Sequence, residues 1–121
     1  QISNLCRDNL YIYSGNDDQV LPILSLGGIG VISVLSNIYP KYVHDMVINY
    51  FNGNITNAVS MQLNSLDLIN SLFSEVNPIP IKEALNMFGF NFGKPRLPLV
   101  EMSSAGKELL KKNIENFAQK N

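Results

Sequence analysis

The chain has 121 residues, 45% of them hydrophobic, with nine Lys and Arg against ten Asp and Glu, so the formal net charge is −1. This size suits one domain with a modest core, and the balanced charge provides no basic face for nucleic acid and no polybasic anchor for a membrane surface. No apolar run reaches the roughly 18 to 20 residues of a membrane span, and the single cysteine, Cys6, excludes an internal disulfide.

The first residues predict a short helix and then a strand. Ile2, Leu5 and Cys6 form the apolar side of the helix, where Cys6 is expected to be a small buried apolar side chain. Leu10–Tyr13 is rich in β-branched and aromatic residues and is followed by a Ser-Gly-Asn turn signal, which predicts a strand. The sequence lacks an initiator Met and begins in a helical pattern, so we expect a fragment or a processed product of a longer protein. With one cysteine and no signal-like segment, the expected location is the cytoplasm.

A second helix and a second strand follow in the sequence. Asp17 or Asp18 is expected to cap a helix that runs to Leu26 and ends at Gly27 in the left-handed conformation. Ile29–Val34 is a short continuous apolar run, which is typical of a strand buried on both faces in a parallel sheet. The order helix, strand, helix, strand predicts an α/β unit with a right-handed parallel crossover.

Only helical patterns follow the second strand, apart from one Pro-rich extended arm. The predicted helices begin at Pro40, Asn54, Asn77-Pro78 and Ser103, glycines end the first and third of them at Gly53 and Gly89, and the arm covers Phe90–Val100. In the second of these helices the stripe expected to face the core is Ile55, Val59, Leu63, Leu66, Ile69 and Phe73. In the last helix Leu110, Ile114 and Phe117 are expected to face inward. Two parallel strands do not form a stable sheet alone, so their remaining neighbours are expected to lie upstream.

Four motifs in this order carry a resemblance to a known family. They are the sequences YSGNDD at 13–18, LGGIGVISV at 26–34, NPIPIK at 77–82 and RLPL at 96–99. With their spacing, they make the whole chain resemble the C-terminal two-fifths of the dihydrodipicolinate synthase family, one of the pyruvate-dependent class I aldolases. Each motif alone is weak, whereas four with matching intervals are specific. Asn16 stands where the family commonly has Asp, and little effect is expected because Asp17 and Asp18 remain.

The resemblance implies an α/β fold that is the C-terminal part of a TIM (β/α)8 barrel. Residues 1–53 would form its last two β/α units, with strands seven and eight at Leu10–Tyr13 and Ile29–Val34, and residues 54–121 would form a C-terminal helical extension. Active sites of such barrels lie at the C-terminal ends of the strands. The resemblance places Ile32 in contact with pyruvate and Gly15 beside the second substrate, where a glycine lets the backbone approach a ligand closely.

The implied activity is that of a lyase in diaminopimelate and lysine biosynthesis. A Lys amine forms a Schiff base with pyruvate, and the resulting enamine attacks aspartate semialdehyde while a Tyr serves as acid and base. In the family both residues precede the matched part, so this chain is expected to hold no catalytic residue and to be inactive alone. No cofactor, metal, nucleic acid or membrane partner is implied. The family forms homotetramers, so a homo-oligomer is expected, with Leu26 close to another subunit.

Three other features are weaker candidates for chemistry. Lys82 lies in an Ile-Lys-Glu context like that of the Schiff-base lysine, but its segment predicts a helix instead of a barrel strand. The glycines of 27–30 precede a strand, whereas a phosphate loop would precede a helix. His44 has no second His or Cys at ligand spacing. Two alternative functions remain at this point: another pyruvate aldolase such as N-acetylneuraminate lyase, or a non-catalytic helical assembly module.

Overall fold

The computed structural model describes residues 2–6 and 9–120. Within these ranges, helices make up most of the structure and accompany one parallel pair of very short strands. The helices are α1 (Ile2–Cys6), α2 (Val20–Ser25), α3 (Pro40–Phe51), α4 (Ile55–Leu72), α5 (Ile79–Met87) and α6 (Ser104–Lys120), and the strands are β1 (Tyr13–Ser14) and β2 (Gly30–Val31). Two 3-10 turns, Asp17–Gln19 and Leu35–Asn37, follow the two strands.

The two strands are parallel neighbours, as the sequence predicts. Tyr13 lies opposite Gly30 and Ser14 opposite Val31. The ladder continues for one residue at each end, because Ile29 N donates to the carbonyl of residue 12 at 2.8 Å and Ile32 N donates to Ser14 O at 2.8 Å. Helix α2 connects the strands and contacts both of them.

The predicted strand bounds, Leu10–Tyr13 and Ile29–Val34, are wrong at their ends. The regular strands cover only Tyr13–Ser14 and Gly30–Val31, which are the residues paired with the other strand. The prediction that the second strand is buried on both faces is also wrong for the described chain, because Ile29 and Ile32 are exposed.

The start of α2 differs from the prediction as well. The 3-10 turn Asp17–Gln19 precedes it. Neither Asn16, which precedes the turn, nor Gln19, which precedes α2, makes a side-chain capping hydrogen bond. Asp17 therefore does not cap its own helix, and its carboxylate has other partners, described below. The end of α2 is as predicted, since Gly27 has a φ of 90° and lies just beyond the last turn.

The later helix boundaries follow the sequence signals closely. Pro40 begins α3, and Gly53 and Gly89 adopt the positive φ expected after α3 and α5. Asn54 precedes α4 but makes no side-chain cap; its Nδ2 donates to Asn49 Oδ1 at 3.0 Å. The segment 90–100 contains no helix or strand. Helix α6 is capped by Ser103, whose Oγ accepts a hydrogen bond from Gly106 N at 3.1 Å.

Two groups of buried apolar residues form the core. The larger group lies among α3, α4, α5 and α6 and contains Leu35, Val43, Leu68, Ile69, Leu72, Ile79, Ile81, Ala84, Met102, Leu110 and Phe117. The smaller group joins α2 to α3 and α4 and contains Val20, Leu21, Leu24, Met46 and Ala58. Leu110 and Phe117 are buried and Ile114 packs against them, which confirms the predicted inner face of α6.

The predicted core stripe of α4 is wrong in most positions. Ile69 is buried and Leu66 is half-buried, but the remaining members are exposed, with Leu63 at 60%. The buried face of α4 instead consists of Ala58, Gln62, Ser65, Leu68, Ile69, Ser71 and Leu72. Because several of these are small or polar, hydrophobicity alone selects the neighbouring face.

The segment α1 has the predicted helical conformation without the predicted burial. Ile2 and Leu5 are exposed, and the free thiol of Cys6 belongs to a half-buried residue. In the described part of the chain, no helix has both the length and the apolar character needed to cross a membrane.

Candidate functional site

The candidate site lies where the two strands end. Gly15 directly follows β1 and Ile32 directly follows β2, and the bond from Ile32 N to Ser14 O holds the two strand ends together. The side chain of Ile32 is 71% exposed. Gly15 is exposed too, with open space around the position a Cβ would take. The C-terminal ends of the two strands thus expose the apolar side chain of Ile32 and the backbone at Gly15.

The turn that carries Gly15 is fixed by a buried serine. Ser14 Oγ donates to Asn16 O at 2.7 Å, and the amide of Asn16 donates back to Ser14 Oγ at 3.3 Å. Ser14 itself is almost fully buried. The turn after β1 is consequently held by local bonds, with Gly15 at its exposed point.

Asp17 joins this turn to the segment that follows β2. The residue is only 2% exposed. Its Oδ2 accepts hydrogen bonds from Val34 N at 2.8 Å and from Leu35 N at 3.0 Å. These two amides begin the 3-10 turn at Leu35, so Asp17 caps that turn instead of its own helix. Its other carboxylate oxygen, Oδ1, is buried and has no hydrogen-bond partner among the described residues.

Gln62 ties α4 to the same turn. Its Nε2 donates to Asp17 O at 2.9 Å, and its Oε1 accepts from Leu21 N at 3.3 Å. Gln62 is buried, and both ends of its amide are used. Ser14, Asp17 and Gln62 were all missed as site residues by the sequence analysis. The available signal was the polar Gln62 inside an apolar helix, since a buried polar residue needs specific partners.

Lys82 belongs to neither strand and to neither of the turns that follow them. It lies on α5, and its Nζ donates to Lys94 O at 3.5 Å. Lys94 in turn pairs with Glu101 at 2.6 Å. The hydrogen bond and attraction between them raise the pKa of Lys94 and lower the pKa of Glu101. Within 2–6 and 9–120, every lysine lies on α3, α5, α6 or the extended arm, and none lies on β1, β2 or the turns after them.

His44 lies on the exposed side of α3. Its Nδ1 is 3.3 Å from Asp45 Oδ1, and Lys41 forms an ion pair with the same carboxylate. Two hydrogen bonds hold the pKa of the Asp45 carboxyl below its usual value; the bond from Lys41 has the larger effect and the bond from His44 the smaller. Across the described ranges, no three His, Cys, Asp or Glu side chains are grouped so that they could hold a metal ion.

A cavity of about 300 Å³ lies between the sheet and α3. Its lining includes Tyr13, Val31, Ser33, Val43 and Val47. Neither Gly15 nor Ile32 contributes to it. The cavity is therefore separate from the two residues that the sequence analysis assigned to substrate binding.

Comparison with known proteins gives a consistent result for sequence families and curated relatives. The profile of the Dihydrodipicolinate synthetase family matches residues 1–117. The 4-hydroxy-tetrahydrodipicolinate synthase of Clostridium novyi is 56% identical over 117 residues, which cover 97% of this chain and 40% of that protein. The chain thus spans about two-fifths of the length of the curated relatives it matches.

Solved structures agree with these sequence matches. A dihydrodipicolinate synthase from Thermotoga maritima superposes with a TM-score of 0.90 at 39% identity, covering 95% of this chain and 39% of that one. The chloride-inhibited enzyme from Acinetobacter baumannii, complexed with pyruvate, superposes with a TM-score of 0.89 at 29% identity, covering 96% and 40% of the respective chains.

Proposed function

Because the chain belongs to the dihydrodipicolinate synthetase family, we propose that it forms the C-terminal two-fifths of a 4-hydroxy-tetrahydrodipicolinate synthase. This lyase condenses pyruvate with aspartate semialdehyde in diaminopimelate and lysine biosynthesis. The observation that carries the proposal is the match along almost the whole chain, in sequence and in backbone, to proteins of this one activity. That agreement favours aspartate semialdehyde over the aldehydes used by other pyruvate aldolases, and catalysis over a purely scaffolding role.

In this proposal β1 and β2 are the seventh and eighth strands of a TIM barrel. Residues 1–53 supply the last two β/α units and residues 54–121 supply the helical extension. The parallel pairing through α2 supports the assignment, since adjacent strands of such a barrel are joined by a helix in the same way. The exposed Ile29 and Ile32 would face the remaining strands or the barrel interior.

The proposed substrate-binding residues are Ile32 for pyruvate and Gly15 for the second substrate. Both lie at the C-terminal ends of the strands, where barrel enzymes bind their substrates. The exposure of Ile32 supports a role in contacting a ligand or another part of the barrel, because an isoleucine buried in its own packing would not be available. The pyruvate in the Acinetobacter baumannii structure supports this substrate for the family.

The catalytic Lys and Tyr of this proposal belong to the part of the protein that the present chain does not cover. The reaction needs a neutral lysine held next to the ketone of pyruvate. The described lysines lie on helices or the arm, several of them in ion pairs with Glu or Asp. The chemistry needs no metal or cofactor, since the Schiff base itself stabilises the carbanion.

Trapping with pyruvate and borohydride tests the proposal directly. Reduction converts an imine into a stable adduct that an intact mass measurement detects. We expect no adduct on the 121-residue chain and one adduct per subunit on the full-length protein, mapped by peptide digestion outside this sequence. A stoichiometric adduct at Lys82 would contradict the assignment of the catalytic lysine. An active full-length lyase that gives no adduct would contradict the Schiff-base mechanism.

Association into a homo-oligomer, with the family homotetramer as the expected form, is also part of this proposal. Leu26, the side chain expected near another subunit, is 68% exposed at the end of α2. The cytoplasmic location stays a prediction.

A further inference from the structure

We propose that Asp17 is a positioning residue for the pyruvate side of the site, acting through the backbone on either side of Ile32. The inference rests on the proposed function, because it assigns Asp17 a role in the site where Ile32 contacts pyruvate. Asp17 does not itself reach the exposed edge of the sheet, since it is buried.

The geometry holds Ile32 from both directions along the chain. On one side, Ile32 N donates to Ser14 O at 2.8 Å, which is the last bond of the parallel ladder. On the other side, the amides of Val34 and Leu35 converge on Asp17 Oδ2 at 2.8 and 3.0 Å. Both anchors belong to the segment 14–17, so the end of β2 is fixed relative to the turn that carries Gly15.

Asp17 Oδ2 accepts both amide bonds at 2.8 and 3.0 Å, within the usual range for an N–H···O hydrogen bond. Without Asp17, two amides at the start of the turn would lose their acceptor inside the protein. We expect the chain after Ile32 to shift in response, because nothing else among the described contacts accepts these two N–H groups.

Gln62 is hydrogen-bonded to the backbone on both sides of the turn that carries Asp17. Through its bonds to Asp17 O and Leu21 N, it fixes the 3-10 turn from which the carboxylate projects. Helix α4 therefore holds Asp17 in place through Gln62, and Asp17 in turn holds the segment beyond Ile32. A misplacement on the order of 1 Å in a site can cost about 100-fold in rate, so a loosened Ile32 has a measurable effect.

The test compares variants of the full-length protein by steady-state kinetics and by hydrogen exchange. We expect Asp17→Ala to raise the KM for pyruvate about tenfold or more, with a smaller change in the KM for aspartate semialdehyde. It should also speed amide exchange in the peptide that contains Val34 and Leu35. Asp18→Ala is the matched control, because it removes the same charge from an exposed neighbour in the same turn. We expect that control to leave both measurements unchanged.

Conservative variants separate positioning from charge and cover the case in which Asp17→Ala does not fold. Asp17→Asn keeps the shape and an acceptor oxygen, whereas Asp17→Glu keeps the charge but displaces the oxygen. Positioning predicts a pyruvate KM closer to wild type in Asp17→Asn than in Asp17→Glu. The reverse order would overturn the inference, as would equal effects of Asp17→Ala and Asp18→Ala.

The exchange measurement distinguishes failure of the proposed function from failure of the positioning role of Asp17. If the wild-type protein has no lyase activity, the proposed function fails, and faster exchange in Asp17→Ala would still support the anchoring of the turn. If the wild type is active and exchange at Val34 and Leu35 is unaffected by Asp17→Ala, the positioning role is wrong while the proposed function stands.

Discussion

Tyr42 shows how one polar group connects two helices. Its hydroxyl donates from α3 to Met61 O on α4 at 2.7 Å. Its ring lies edge-on to Phe117 of α6, with the centroids 4.8 Å apart. Burial raises the pKa of the Tyr42 hydroxyl to about 12 from a usual value of 10.0. The neutral phenol is thus the form that the folded protein favours.

The shifted pKa predicts a loss of stability in alkali. Below about pH 10 the hydroxyl is neutral in both the folded and the unfolded chain, and its contribution is fully present. Between pH 10 and 12 the unfolded chain releases the proton while the folded chain retains it, so the free energy of unfolding falls as pH rises. We expect Tyr42→Phe to lower the free energy of unfolding by about 1 kcal/mol at pH 7 and to weaken its decline in alkali.

Urea unfolding at pH 7, 9 and 11 measures this effect. Tyr11→Phe is the control, since Tyr11 is 79% exposed and its hydroxyl is open to solvent. An alkaline decline in Tyr42→Phe as steep as in the wild type would contradict the assignment, and would direct attention to Tyr39, whose pKa burial also raises.

Helix α4 illustrates which properties of a helix can be predicted from the sequence and which cannot. Its length and its start after Asn54 follow from the sequence, because glycine and asparagine signals and helical spacing act locally. Its orientation does not follow, since large apolar residues lie on one face while the core uses the adjacent face. The buried face accepts Gln62 and Ser65 because each has a partner: Gln62 bonds to the Asp17 turn, and Ser65 Oγ donates to Gln62 O at 2.8 Å. The partners of Gln62 come from a distant part of the chain and leave no local pattern, whereas the Ser65 bond lies within α4 itself.

A pair of substitutions on α4 tests the corrected orientation. Leu68 is fully buried in the larger core group, so we expect Leu68→Ala to lower the free energy of unfolding by about 2 to 5 kcal/mol. Leu63 carries the same side chain on the exposed face, and we expect Leu63→Ala to change the stability of the 121-residue chain by less than about 0.5 kcal/mol. Denaturant melts of both variants provide the measurement. Equal losses of stability in the two variants would show that the face of α4 with Leu63 and Leu66 is packed, as the sequence predicted.

At the scale of the whole molecule, the order of elements and the parallel pairing were predicted, and the extent of the strands was not. Glycine and proline signals mark several of the element boundaries, and a helix between two strand patterns favours parallel neighbours. The strand lengths depend on which residues find a partner. In the described chain each strand has a single partner strand, so the hydrogen-bonded ladder ends after a few bonds. The roles of Gly15 and Ile32 remain predictions, supported by their place at the strand ends.

Association of the full-length protein is open to a direct test. Leu26 projects from the end of α2, and burying such a leucine in an interface contributes about 1.5 to 3 kcal/mol. We expect Leu26→Arg to weaken subunit association about tenfold or more, seen as smaller species in sedimentation velocity at low concentration. Leu109→Arg, at an exposed leucine of α6, is the control. Equal behaviour of the two variants would show that Leu26 has no special place in the assembly.

The bonds of Gln62 also bear on how such a chain can change over generations. Residues 1–53 and 54–121 differ in architecture, yet Gln62 on one side holds Asp17 and Leu21 on the other, and Ala58 shares a core group with Val20. A recombination event with its crossover near Gly53 would bring together halves with separate histories. Such a chimera keeps its buried amide satisfied only when both parents place the same partners there. The two segments are therefore expected to be inherited as one unit, and the C-terminal helices do not form a module that lineages can exchange freely.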